Sequence, residues 1–207
     1  MRAQLPRGKI IYDAGDHIHT AYFPLNGMLS LLSTTEDGST VEVGMVGNEG
    51  MTGIPLILQA GRTPFRIVVQ CPVTAWTIPA RALRAEFNRG GQFQSLLLRY
   101  THTLFTQLSQ SATCNRFHSV EERLCRWLLI TRDRVKSDTF HLTQEFISQM
   151  LGAPRTGVTM TAGKLQRMGL IRYSRGRITL LDAQGLETTS CECYRVITEE
   201  LNHLLAA

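Results

Sequence analysis

The sequence predicts an α+β fold in three zones: an N-terminal jelly-roll β domain, a long helix, and a C-terminal pair of short helices followed by a β hairpin. Three observations carry this. Residues 8–80 break into short β-forming runs separated by turn residues. Residues 80–135 hold no proline between Ala80 and Val135, and their apolar positions recur at three- and four-residue steps. Residues 140–181 carry a glycine-split helical pattern and then two short β runs. The corresponding domains are residues 1–88, 89–117 and 118–207.

In the first zone the runs are Lys9–Tyr12, Met28–Ser33, Thr40–Val46, Phe65–Gln70 and Val73–Ile78. Turn residues separate them at Asp13-Ala14-Gly15-Asp16, Glu36-Asp37-Gly38-Ser39, Gly47-Asn48-Glu49-Gly50 and Ala60-Gly61-Arg62. Many short strands with frequent turns favour a sandwich or jelly roll. Val41, Val43 and Met45 alternate with other residues, so a regular strand would put them on one half-buried face. Glu49 reads as a turn residue.

In the second zone Phe93, Leu97, Tyr100 and Leu104 fall on one helical stripe, which turns polar through Gln107, Ser111 and Cys114. Such a stripe commonly packs inside its own chain. A long helix leaving a small β domain has little else to pack on, so the stripe is read as a homodimer seam. Ser119 and Glu122 have capping-box spacing and start a new helix that turns Val120, Leu124, Trp127 and Leu128 inward.

In the third zone Thr143 is placed to cap a short helix whose apolar face is Phe146, Ile147, Met150 and Leu151. Gly152 supplies the turn, and Pro154 suits the first turn of the next helix. Val158, Ala162 and Leu165 share its inner face, and Gly169 closes it. Ile171–Tyr173 and Arg177–Leu181, joined by Ser174-Arg175-Gly176, form a wing. This is a winged helix-turn-helix over roughly residues 140–181.

Charge follows the same division. The chain has 22 Lys and Arg against 17 Asp and Glu, and residues 116–181 alone carry 12 against 5. That local excess attracts a polyanion by counterion release. A helix-turn-helix presents its second helix at the width of a major groove. With Val158, Ala162 and Leu165 inside, Arg155, Thr156, Thr159 and Met160 face outward near that helix's start. Arg155 suits bidentate pairing with guanine, worth roughly 1–3 kcal/mol of discrimination. Thr143, Lys164, Arg167, Arg175 and Arg177 are placed for phosphates, which fix register without reading sequence.

The stretch LTQEFISQMLGAPRTGVTMTAGKLQRMGLIRYSRGRITLLD, residues 142–182, resembles the winged helix of the Crp/Fnr regulator family. The likeness is carried by Leu142-Thr143, Gly152, Arg155, Val158, Leu165, Gly169-Leu170-Ile171 and Gly176-Arg177-Ile178. The order of β roll, long helix and winged helix extends it over nearly the whole chain. The resemblance implies a homodimeric transcription regulator, not an enzyme, with double-stranded palindromic DNA and RNA polymerase as partners and an effector the sequence does not name. Pro154, Thr156 and Met160 stand where the family usually has Ser, Glu and Arg, which implies a different target sequence.

In family members that bind cyclic nucleotides, a Gly-Glu pair holds the ribose and an Arg-Ser/Thr-Ala element the phosphate. Here Gly53 aligns with the Gly, but Ile54 replaces the Glu, and Arg62-Thr63-Pro64 stands at the phosphate element. Arg62 and nearby Arg66 read as solvated strand-edge residues that remain available to an anion. The expectation is an effector pocket at Gly53, Ile54, Arg62 and Arg66 that does not answer to cyclic AMP.

An alternative class is a cupin-like metal enzyme or ligand-binding module, from His17-Ile18-His19 in a β roll. Two ligands alone rarely hold a catalytic metal. The five cysteines lack a Cys-x-x-Cys element. Cys191 and Cys193 fall on an expected helix, where side chains two apart diverge, so they are read as buried or idle thiols. No metal or cofactor is therefore expected. The cysteine pattern and the absence of a signal-like start or apolar span point to a cytoplasmic chain away from membranes.

Overall fold

The computed structural model describes residues 1–206. Seven strands build the N-terminal roll: β1 (Arg2–Leu5), β2 (Ile10–Tyr12), β3 (Thr20–Pro24), β4 (Met28–Thr34), β5 (Thr40–Val46), β6 (Arg66–Cys71) and β7 (Val73–Pro79). They pair antiparallel in two sheets, ordered β2-β6-β4-β5 and β1-β7-β3. Leu29, Ile67 and Val69 of the first sheet share one buried core with Leu5, Ala21 and Val73 of the second. The short α1 (Ile54–Ile57) and then α2 (Ala80–Asn88) close the roll.

The alternation expected of β5 is interrupted. Leu31 pairs with Gly44 and Leu32 with Glu42, so Val43 is the extra residue of a β-bulge. Val43 then packs with the roll core, while Met45 joins a second core on the other side. The bulge also turns Glu42 into the protein, where it is buried.

The long helix α3 (Gln92–Phe117) and the capped helix α4 (Val120–Val135) follow. Ser119 Oγ accepts from Glu122 N, and the Glu122 side chain accepts from Ser119 N, completing the capping box. Next come β8 (Thr139–His141), α5 (Gln144–Leu151), α6 (Arg155–Arg167), β9 (Ile171–Ser174), β10 (Arg177–Leu180), α7 (Ala183–Thr189) and α8 (Cys193–Ala206). Strands β8, β10 and β9 form one small sheet. Leu124, Trp127 and Leu128 of α4 pack with Ile147, Val158 and Leu165 of the helical pair, as the spacing requires.

The second core does not stop at the winged helix. It includes Met28, Leu32, Met45 and Val68 of the roll, so the two units share buried apolar surface. Buried polar pairs cross the same boundary. Trp127 Nε1 donates to Glu42 Oε1 at 2.8 Å, and Arg134 Nε to Glu49 Oε1 at 2.8 Å. Glu49 is thus a buried ion-pair partner and not merely a turn residue.

The seam expected on α3 requires a correction. Leu97, Tyr100 and Leu104 are buried within the chain, in the roll core, and Phe93 packs at its margin. Tyr100 lies so close to the turn before α1 that a Cβ on Gly50 would sit 2.0 Å from its ring. The polar continuation of the stripe is also used internally. Gln107 Oε1 accepts from Met45 N at 2.7 Å, and its Nε2 donates to Met45 O at 3.1 Å. The outer face of α3 instead carries Leu98 and Phe105, 49% and 58% exposed, with Ala112 in line a further seven residues on.

Candidate nucleic-acid interface

Thr143 caps α5 by accepting from Phe146 N at 3.1 Å, which fixes the helix start in extended backbone. Gly152 ends α5 at φ 55°, and its absent Cβ leaves room for Val41 at 3.0 Å. Pro154 opens α6, and Val158, Ala162 and Leu165 bury that helix's inner face. At about 100° per residue, Thr156, Met160 and Arg167 project from the opposite face. All three are exposed, Met160 by 75%.

Arg155 stands on the flank of α6, turned toward the wing. Its side chain is 66% exposed, and its nearest acidic neighbour, Glu145, lies 4.0 Å away. Arg155, Thr143 and Arg175 line one open groove between the start of α5, the start of α6 and the wing. Tyr173 Oη donates to Leu142 O at 2.9 Å and ties the wing to this groove. Burial pushes the Tyr173 phenol up, so it remains a donor at neutral pH.

The wing turns through Arg175 at φ 47° and Gly176 at φ 75°. Two successive positive φ values suit a tight hairpin of primed type. Glycine adopts that conformation freely, but a side chain there costs of order 1–3 kcal/mol. The chain nevertheless puts an exposed arginine at the tip, beside exposed Arg177.

Two of the predicted contact residues already have intrachain partners. Lys164 lies on the flank facing α4, where Nζ meets Glu121 Oε2 at 2.7 Å, so a phosphate would have to compete with that carboxylate. The Thr159 hydroxyl has Gln144 Oε1 at 2.8 Å and Arg155 O at 2.9 Å as acceptors. Its one hydrogen is thus used within the chain, and the contact places Gln144 at the groove.

The domain matches agree with this geometry. Residues 122–189 match the Crp-like helix-turn-helix domain, and residues 2–89 match the cyclic nucleotide-binding domain. Together they take in well over half of the chain. The chain belongs to the Crp/Fnr family of transcription regulators.

Solved structures of similar fold include FixK2 from Bradyrhizobium japonicum, with 14% identity over 92% of this chain and 97% of that one, at a TM-score of 0.76. A Crp/Fnr-family transcriptional regulator from Thermus thermophilus has 20% identity over 92% and 98%, at a TM-score of 0.73. At such identities the likeness concerns the fold. A search of curated proteins returns no match. No helix among the described residues is long and apolar enough to cross a membrane.

In this Crp/Fnr chain the roll and α3 enclose a cavity of about 200 Å³. Gly53, Ile54, Val46 and Ile67 line it from the roll, and Leu104 and Phe105 from α3. No charged side chain lines it; its polar side chains are the hydroxyls of Thr52, Thr63 and Thr101. Arg62 and Arg66 do not reach it, which corrects the expected pocket. Arg62 donates to Gly15 O at 2.7 Å, and Arg66 is paired with Asp13. His17 and His19 lie exposed with rings 6.4 Å apart and no third ligating side chain grouped with them among the described residues.

Proposed function

We propose that this Crp/Fnr regulator acts as a sequence-specific homodimer on palindromic operator DNA. Arg155, Thr156 and Met160 meet base edges, and Thr143, Arg167, Arg175 and Arg177 hold phosphates. The observation that carries the reading is the groove joining α5, α6 and the wing, with Arg155 and Arg175 exposed in it and Glu145 no nearer to Arg155 than 4.0 Å. Arg155 is the basic side chain nearest the recognition-helix start, so it carries base discrimination. Phosphate contacts set affinity on every sequence.

Dimerisation uses the outer face of α3, Leu98, Phe105 and Ala112, with a second copy as the occupant. The spacing of seven residues suits a parallel helix pair, and two-fold symmetry then matches a palindromic site. Phe105 lines the effector cavity from the same helix. Cavity filling and dimer geometry are therefore linked through one side chain. The cavity has no carboxylate for a ribose and no guanidinium for a phosphodiester, so cyclic AMP is not the effector. An effector with a largely apolar surface fits this lining.

The test is selection of a binding site by the purified protein, followed by titration of the Arg155→Ala variant on cognate and scrambled DNA. The variant loses its preference for the cognate site while keeping most non-specific affinity. Full preference retained by the variant refutes the assignment of α6 as the reading helix.

A further inference from the structure

Cys114, His118, Cys191 and Cys193 converge in space, although 72 residues of sequence separate His118 from Cys191. Cys114 lies in the last turn of α3, and His118 follows one helical turn later at its cap. Positions i and i+4 share one helix face. Cys191 precedes α8, and Cys193 is its first residue. Because only one of the pair is helical, both sulfurs turn the same way, which corrects the expectation that they diverge; both are buried, as expected.

The candidate ligand atoms, three Sγ and one imidazole nitrogen, all lie within 4.8 Å of one another. Cys114 Sγ and Cys191 Sγ are 3.5 Å apart, and Cys193 Sγ is 3.6 Å from His118 Nδ1. A tetrahedral ion with metal–sulfur bonds of ~2.3 Å has ligand–ligand edges of roughly 3.8 Å. The spacing therefore suits one metal ion. An iron–sulfur cluster spreads its ligands over two or more irons, so ligands on different irons need wider spacing than this.

Three further features suit a metal. His118 Nε2 is 3.4 Å from Glu192 Oε1, so the second ring nitrogen has the carboxylate partner typical of ligating histidines. The three cysteines are buried, and the His118 side chain is 13% exposed. The buried guanidiniums of Arg123 and Arg126 lie within electrostatic reach of these sulfurs, and the Nε atom of each has no hydrogen-bond partner. Three thiolates around a divalent ion leave one net negative charge, which these arginines offset.

We propose that Cys114, Cys191 and Cys193, with Nδ1 of His118, hold one zinc ion. On binding, three thiol protons leave to solvent and no electron is transferred. The four ligands complete the tetrahedron, as in closed structural sites. The ion staples the end of α3 to the start of α8, at the junction where the DNA-binding unit leaves the long helix. The inference does not depend on the DNA-reading assignment.

The test uses untagged full-length protein purified under reducing conditions without chelator, its metal measured by elemental analysis. One zinc per chain is expected in the wild type and in Cys71→Ser, falling below about a tenth in Cys193→Ser. Should Cys193→Ser fail to fold, the wild type decides alone. Cobalt(II) exchanged into it must give the intense visible bands of a tetrahedral thiolate site, and thiol titration with a mercurial must release zinc. Wild-type protein that neither carries zinc nor takes up zinc or cobalt at micromolar concentration overturns the proposal. A Cys114–Cys191 disulfide in the peptide map, or iron with acid-labile sulfide, overturns it equally.

Discussion

Replacing Glu42 by Gln should remove a pH dependence built into the contact between the roll and the winged helix. Glu42 is buried on β5, with one oxygen accepting from Trp127 and the other, Oε2, without a partner. Burial pushes its carboxyl up to about 7 from an ordinary 4.5, against the opposing pull of Ser30, Trp127, Arg126 and Arg134. Arg134 is shared with Glu49, which limits its help. Because the folded protein holds this proton more tightly than the unfolded chain, the stabilisation is complete below about pH 4.5 and is lost as pH rises through about 7. At about 1.4 kcal/mol per unit, the difference between pH 5 and pH 8 is about 2 to 3 kcal/mol. Urea denaturation of wild type and Glu42→Gln at both pH values isolates it. The wild type should lose that much more stability than the variant, or roughly 1 M in midpoint at a slope of 2–3 kcal/mol per M. Parallel pH profiles for the two proteins would refute the argument.

Changing Arg167, Arg175 or Arg177 to Ala should weaken binding to all DNA and reduce the salt slope by about one each, whereas Lys164→Ala, already paired with Glu121, should leave the slope unchanged. Phe105→Glu should shift the sedimentation mass toward the monomer, since it puts a charge in the middle of the outer α3 face; an unchanged dimer would place the contact elsewhere. Gly50→Ala should destabilise by several kcal/mol in chemical denaturation, because the new methyl meets the Tyr100 ring at 2.0 Å. Calorimetric titration should find no saturable binding of cyclic AMP below about 100 μM, and a heat lost on changing Thr101 to Val would contradict the apolar-cavity argument.

The local signals in the sequence were sufficient where a segment's partners are its neighbours. The Ser119 capping box, the Thr143 cap and the inner face Val158, Ala162 and Leu165 all depend on contacts within a few turns. Strands β1 and β3 carry no marked alternation of their own, and pairing with β7 holds them, Ala3 opposite Ala75 and Phe23 opposite Trp76. The α3 stripe misled for a related reason. Periodicity says that Leu97, Tyr100 and Leu104 share a face but not what covers it, and the roll covers it first. Lys164 and Arg66 have the right charge, yet each has a carboxylate partner that only the fold brings near. The four-ligand cluster is the extreme case, joining elements that no short motif connects.

The shared core would oppose any movement of the winged helix relative to the roll. The winged helix is not tethered loosely: α5 packs on β5, the second core runs from Met45 to Val158, and Glu42 and Glu49 reach α4. Arg7 of the roll lies 5.3 Å from the Phe146 ring of α5, adding a cation–π contact. Moving the two winged helices of a dimer to suit half-sites about 34–36 Å apart therefore costs buried surface and two buried polar contacts. A ligand bound beside Phe105 would press on α3, whose end meets the start of α8 through Cys114 and Cys191. Any ligand that shifts the balance must bind the two arrangements differently. Phe105 is placed to give that difference, because its ring belongs to the cavity wall and its exposed edge to the outer face of the helix.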